Sequence, residues 1–416
     1  MKRRERPAGA VVTLVSPSAT PCGIETFARI SGAWVDAGGA PTRSLAVSGR
    51  PSDVWRLWRG LAGSRALIVN LPVVAWKRAL LTPLLALAIA RLRGARTIVV
   101  MHEWADLRPA RRAICRVYLR LAGTILFSSP FVRAGFEADV RPLRGRSTGL
   151  VPIPPNIAPS AARRATAASA RLVEERARGR FILGHFGSIY PRKHSDFVLD
   201  VAAALRERGH DVFVAFIGAF IRGHDDVEAR FFTHAESLGL EDSILVTGHV
   251  ATDEEIFMLF DACDAFAYAF AEGLTSRRGS VLACLQSGKP VIADAPRSAD
   301  EFAHHRVYRD FIAAGALTFV GEGADAVDYA RAIERAAAAP ARLALDVFTR
   351  AWMDAASALR AAVEAEDESE NPRRGASEAM STAGQGSAVT TGPVAVIRAD
   401  ASAKSAMTGA GARRRA

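Results

Sequence analysis

Phe181-Ile182-Leu183-Gly184-His185-Phe186-Gly187-Ser188-Ile189-Tyr190-Pro191-Arg192-Lys193-His194 reads as a buried strand, a glycine break and a basic loop. The apolar run 181–186 is strand-length, and Gly187 ends it. Two adjacent cations after a glycine turn, Arg192 and Lys193, suit a pyrophosphate. A solvated basic loop explains them almost as well. Runs of the same kind recur downstream at 212–217, 244–246, 265–269, 291–293 and 316–320, and upstream at 11–15, 67–70, 97–101, 124–127 and 150–153. Helical spacing fills the gaps, as in Ile24, Phe27, Ser31, Trp34 and Val35, which end at Gly38-Gly39. Strands alternating with helices predict parallel sheets covered on both faces. Pro152, Pro154, Pro155 and Pro159 interrupt the alternation midway, followed by an Ala/Arg-rich stretch.

The fold class expected is therefore α/β, with two Rossmann-like doubly wound domains facing a central cleft. The first domain is placed at 1–160, a linker at 161–180 and the second domain at 181–345. A helix at 346–366 returns to the first domain. Residues 367–416 are rich in Gly, Ser, Ala and Thr and read as a disordered tail. Such folds bind ligands outside the carboxyl ends of their strands, so the cleft is the place to look.

Composition narrows the class. The chain has 416 residues, 50% hydrophobic and 23% charged, which excludes collagen, coiled coil and wholly disordered chains. The longest apolar run, 79–90, is too short to span a bilayer and reads as a buried helix. No long apolar stretch follows the basic N-terminus, so export is not expected. Cys22, Cys115, Cys263 and Cys284 form no CxxC pair, and reduced thiols in a cytoplasmic protein are the simple reading. Residues 1–180 carry 30 Lys and Arg against 10 Asp and Glu, whereas residues 181–416 carry 24 against 33. The basic half suits acidic substrates or peripheral contact with an anionic membrane. A solvated basic face is an even alternative. Without an aromatic-rich stacking motif or a recognition-helix signature, no nucleic acid partner is expected.

Two common nucleotide signatures are missing. No GxGxxG follows the first strand. Ser287-Gly288-Lys289-Pro290 is no Walker loop, because Pro290 replaces the Ser/Thr and Ala283 the first glycine. Pro21-Cys22-Gly23-Ile24-Glu25-Thr26 opens a helix, where a glycine lets amides approach an anion. A plain strand–helix turn explains it equally. Glu272-Gly273-Leu274-Thr275-Ser276-Arg277-Arg278-Gly279 is the most specific segment. It precedes the apolar helix 281–285. Amides and hydroxyls there can hold phosphate oxygens, Arg277 or Arg278 adds charge, and Glu272 can accept from sugar hydroxyls. His304-His305 and Asp294 carry no assignment.

The order of Gly23-Ile24-Glu25, His102-Glu103, Val151-Pro152, Gly187 to Lys193, Glu272-Gly273 and Gly288-Lys289-Pro290-Val291 resembles the group 1, or family 4, glycosyltransferases. The resemblance spans residues 10–365. It implies a retaining enzyme of the GT-B fold, using a nucleotide-diphospho-sugar donor with no cofactor and no metal, and a saccharide or lipid-linked acceptor. It places Gly23 near the donor pyrophosphate and His102 beside the reacting sugar. Lys193 would face the departing diphosphate, and Glu272 the sugar hydroxyls. Gly187, Arg192, Thr275, Ser276, Arg277, Arg278, Gly279 and Ser280 complete the donor site. The sequence departs from the family twice. Ser188 stands where a basic residue follows the glycine, leaving that charge to Arg192. Ser280 stands where a second glutamate usually grips the donor ribose. Two other readings stay open: a degenerate relative that binds sugar nucleotide without turnover, and a sugar-nucleotide epimerase of the same architecture.

Overall fold

The computed structural model describes residues 9–18, 22–50, 52–76, 81–140, 146–189, 194–221, 226–338 and 346–365. The first domain holds β1 (Val11–Val15), β2 (Thr42–Ala46), β3 (Ala66–Leu71), β4 (Arg96–Met101), β5 (Thr124–Phe127) and β6 (Ser147–Leu150). They form one parallel sheet in the order β2-β1-β3-β4-β5-β6. The period of two along each strand divides its side chains between two cores. Leu67, Val69, Val99 and Met101 pack under α2 (Asp53–Gly60), α3 (Leu81–Leu92), α4 (Pro109–Leu121) and α5 (Pro130–Asp139). Ile68, Ile98 and Val100 pack on the opposite face with α1 (Gly23–Ala37).

The second domain opens with α6 (Ala167–Ala177). Its parallel sheet contains β7 (Phe181–Phe186), β8 (Val212–Ile217), β9 (Ile244–Val246), β10 (Ala265–Tyr268), β11 (Val291–Asp294) and β12 (Leu317–Val320). The order β12-β11-β10-β7-β8-β9 reverses direction at β7. That reversal leaves a crevice between the loops following β7 and β10. The covering helices include α7 (Phe197–Glu207), α8 (Val227–Ser237), α9 (Asp253–Ala262), α10 (Gly279–Gln286), α11 (Arg306–Ala313) and α12 (Ala326–Ala338).

The last helix, α13 (Val347–Glu364), ties the halves together. Val347 and Ala351 lie in the second domain's core. Trp352, Leu359 and Val363 lie in the first domain's core. Trp352 stacks on Phe27 with ring centroids 5.5 Å apart, and its indole Nε1 donates to the Pro155 carbonyl at 3.0 Å.

Four local readings of the sequence differ from the structure. The strand expected at 150–153 is β6, ending at Leu150. Val151 donates to Phe127 O, but Pro152, Pro154 and Pro155 have no amide hydrogen with which to continue a ladder. β2 was not expected, because Thr42-Arg43-Ser44-Leu45-Ala46 is an edge strand with mixed polarity. The stretch read as a linker contains α6, started by a Thr166–Ser169 capping box and anchored by buried Leu172. The helix expected to be buried at 79–90 is α3, and one side of it faces outward. The tail after 366 lies outside the described residues.

Candidate functional site

A cleft of about 330 Å³ runs between the two sheets' carboxyl ends. Gly23, Phe27, His102 and Glu103 line it from the first domain. Gly187, Ser188, Arg277, Arg278, Gly279 and Ser280 line it from the second, and Ile153, Pro154 and Asn156 line it from the connection. The connection is tied to the first-domain wall, where Asn156 Nδ2 donates to Gly23 O at 3.1 Å.

On the first-domain wall, Gly23 is the first residue of α1. Glu25, two residues on, is buried. It accepts from the Ser16 amide at 3.0 Å and from Ser16 Oγ at 2.6 Å, and pairs with Arg29 at 2.8 Å. It thus fixes the turn that presents Gly23. His102 directly follows β4. Its ring packs edge-on against Phe27 with centroids 5.1 Å apart, and Nε2 donates to Asn70 Oδ1 at 2.9 Å. With the Asn70 amide in that orientation, Nδ1 carries no hydrogen. Burial, reinforced by the Arg277 charge, lowers the His102 pKa to about 3. The ring is therefore a neutral imidazole at ordinary pH.

The opposite wall is a charge cluster. Gly273 has φ +74°, and a Cβ there would lie 2.3 Å from Ala295 O, so only glycine makes this turn. The turn brings Arg277 and Arg278 back onto Glu272. Both guanidinium groups bond to Glu272 Oε1, Arg277 at 3.1 Å. Arg277 also reaches across the cleft to Asp106 Oδ2 at 3.1 Å. Burial opposes its charge, but Asp106, Glu103 and Glu272 outweigh that and hold its pKa above the ordinary value. Arg278 lies over the Phe270 ring at 4.7 Å.

The two arginines, Gly279 and Ser280 therefore reach the cleft as the sequence suggested, whereas three neighbours sit elsewhere. Glu272 is engaged by the arginines and is not among the lining residues. Ser276 is buried, with both its amide and its hydroxyl donating to Glu301 Oε1 at 2.8 Å. Thr275 is buried next to it. Neither hydroxyl lines the cleft. Arg192 and Lys193 lie outside the described residues.

Sequence reasoning missed Asn70, Asn156 and Glu301. Glu301 clamps the 275–278 turn and accepts from the Phe131 amide across the domains at 3.1 Å. Burial raises its pKa. It sits in a polar run, Ser298-Ala299-Asp300-Glu301, with nothing in the pattern to single it out. His305 donates from Nε2 to Ile153 O at 3.0 Å, and burial lowers the pKa of His305 to about 4 and of His304 to about 3. Among the described residues no cluster of three His, Cys, Asp or Glu could hold a metal.

These three histidines carry a pH prediction. Below about pH 6.5 the unfolded chain binds protons on them that the folded chain does not. Stability must then fall as pH drops from 6.5 toward 4, by up to about 1.4 kcal/mol per pH unit for each ring. The raised carboxyls Asp253, Asp294 and Glu301 act in the opposite sense and offset part of this. The thermal midpoint should be several degrees lower at pH 5 than at pH 7. Equal midpoints would contradict the neutral, buried state of these rings.

Two doubly wound domains with a cleft between their strand ends define a GT-B architecture, and a pair of arginines stands at a helix start on one wall of that cleft. Residues 180–339, which contain the second domain's sheet, match the family model described as glycosyl transferases group 1. No curated protein sequence matches the chain. The fold is shared with Anabaena HepE, solved in complex with UDP and glucose: 16% identity, TM-score 0.54, covering 89% of this chain and 99% of that one. It is shared also with sucrose-phosphate synthase from Thermosynechococcus elongatus, at 15% identity and TM-score 0.55, covering 89% and 100%. A glycosyltransferase from Rickettsia africae ESF-5 is similar at 12% identity and TM-score 0.51, covering 85% and 93%.

Proposed function

We propose that the chain transfers a sugar, with retention, from a nucleotide-diphosphate donor to an acceptor hydroxyl. The setting is cell-surface polysaccharide or glycolipid synthesis at the cytoplasmic face of a membrane. The observation that carries this reading is the cleft itself. One wall holds Arg277, Arg278 and the start of α10, and the other holds Gly23 and neutral His102. HepE shares this two-domain arrangement and has been solved with UDP-glucose.

The chemistry follows from charge. As the sugar–phosphate bond breaks, negative charge collects on the diphosphate and the sugar becomes oxocarbenium-like. Preorganised cations and amide dipoles stabilise that diphosphate. Arg277, Arg278 and the first amides of α10 are set for this, and we assign Arg192 and Lys193 the same role. The departing phosphate takes the acceptor's proton, so no protein nucleophile is required. His102 serves as a neutral acceptor through Nδ1 beside the reacting sugar. Glu272 reaches the sugar hydroxyls once phosphate oxygens take over its arginines.

A second reading, binding without turnover, is favoured by Ser280. An epimerase would need further acid and base groups in the cleft. Incubation with a panel of sugar nucleotides separates the three. Release of nucleoside diphosphate, with an α-anomeric product from an α-linked donor, supports retention. Sugar interconversion supports the epimerase, and binding alone supports the degenerate protein.

Ser280 itself gives a sharper test. It lies on the first turn of α10, hydrogen-bonded with the buried Tyr268 hydroxyl, which donates to Phe186 O at 2.9 Å. In the Ser280→Glu protein the new carboxylate would compete with Glu272 for Arg278 and draw positive charge off the phosphate site. Donor affinity should stay within about threefold or weaken. A gain of about tenfold, the worth of one charge-assisted hydrogen bond, would show instead that Ser280 is a lost ribose contact.

A further inference from the structure

We infer that the outer face of the α2–α3–α4 layer docks on an anionic lipid bilayer. The glycosyltransferase reading is needed only for the purpose of docking, not for the surface itself. Among the described residues, eight of the twelve exposed large apolar side chains lie between Val54 and Val117. On α3, Leu81, Leu85 and Leu92 share one side of the helix and are 69%, 39% and 79% exposed. On the adjacent α2, Trp55 and Trp58 stand one turn apart, 64% and 44% exposed. A surface helix of a globular protein turns such a stripe inward. Here α3 buries one apolar side and presents another.

Charge says what the stripe meets. From Val54 to His102 the sequence has eight Lys and Arg and no Asp or Glu. From Leu107 to Phe136 it has six Arg and again no acid. Asp53, at the start of α2, is buried and holds the amides of Ser48 and Gly49 at 2.7 and 2.6 Å. Arg93 lies over Trp58 at 4.1 Å and Arg59 over Trp55 at 5.4 Å, so cations flank both indoles. Tryptophan at the headgroup level, leucine beneath it and arginine to phosphate is the pattern of an interfacial surface. Asp139 engages Arg112 and Arg116 at the α4 edge, so the free positive charge lies on α2 and α3. A soluble protein partner would ordinarily present mixed charge, whereas an anionic bilayer matches that basic field. No described helix is long and apolar enough to cross a membrane, so the contact lies on the surface.

The placement serves the cleft. Helices α3 and α4 begin at the carboxyl ends of β3 and β4, the side on which the cleft opens. A shallow apolar notch there is lined by Leu71, Trp76, Pro83 and Ile114, with Arg111 as its one charged member. Leu71 O accepts the His102 amide at 2.8 Å. A bilayer against this face brings a lipid-borne acceptor to the His102 wall without extraction.

The test uses the full chain and vesicles, with no donor or acceptor, so its result is independent of turnover. Co-sedimentation with phosphatidylcholine–phosphatidylglycerol vesicles should be strong and should weaken with added salt. Phosphatidylcholine alone should retain little. The combined variant Trp55→Ser, Trp58→Ser, Leu81→Ser, Leu85→Ser should still melt cooperatively, at a midpoint only a few degrees below the parent's, because none of the four side chains lies in a core. It should lose at least about tenfold in partitioning. A Val173→Ser, Phe232→Ser control on the second domain should bind as the parent does. Undiminished binding of the combined variant would overturn the inference, as would equal binding to neutral vesicles. So would a parent dimer that becomes monomeric in the variant, since a second copy would then be what covers the face.

Discussion

The Arg277→Ala protein should turn over its donor about 100- to 1000-fold more slowly, while melting within a few degrees of the parent. One well-placed cation facing a developing oxyanion in a closed site is worth roughly 3–4 kcal/mol, and each 1.4 kcal/mol is about tenfold in rate. The Arg277 side chain is 8% exposed and lies between Glu272 and Asp106, linking the charge cluster to the first domain. Its removal leaves Glu272 paired with Arg278, and costs Asp106 one contact at an exposed carboxylate. The structural cost is therefore modest and the catalytic one large. Arg277→Lys should recover only part of the rate, because the shorter side chain carries one compact ammonium in place of five spread donors. Turnover within threefold of the parent would remove Arg277 from the chemistry.

Trp352→Ala should be the most destabilising single substitution near the cleft, by about 3–5 kcal/mol. The ring is fully buried, stacked on Phe27, and its Nε1 holds the Pro155 carbonyl. Truncation opens a cavity where the first domain, the connection and α13 meet, and leaves a buried acceptor without its donor. Phe27 in turn supports His102, so donor turnover should fall with stability. Ending the chain at 345 removes α13 altogether and should have a larger effect than the point substitution. A melting midpoint within a degree or two of the parent, for either protein, would contradict a role for α13 in joining the domains.

The fold was legible because each central strand is a short apolar run closed by glycine, proline or a polar turn, and buried strands need that composition. The edge was less legible. β2 alternates weakly because one side of it meets water, and its sequence resembles a turn. Helix α3 was misread for a related reason: an all-round apolar helix normally lies inside a core, and only the packing shows that one side does not. In the site, residues that act through backbone turns or through charge type were visible, such as Gly187 and the arginine pair. Glu301, Asn70 and Asn156 were not. Each works through a contact at a sequence distance of 25 to 170 residues, and local spacing carries no trace of such a partner. Glu272 shows the converse. Its position in a motif suggested a ligand contact, whereas the two following arginines make it a counter-ion in this structure.

The proposed activity requires that the cleft between the domains be the nucleotide-diphospho-sugar site. Calorimetric titration of nucleoside diphosphates and their sugars into the parent and the Ser188→Trp protein tests it most directly. Ser188 is exposed on the cleft wall, so an indole there fills the cavity without entering a core. The parent should bind at least one nucleoside diphosphate saturably, and Ser188→Trp should lose that binding at an unchanged melting midpoint. Equal affinity in the two proteins, or no binding by the parent across the panel, would contradict that assignment of the cleft.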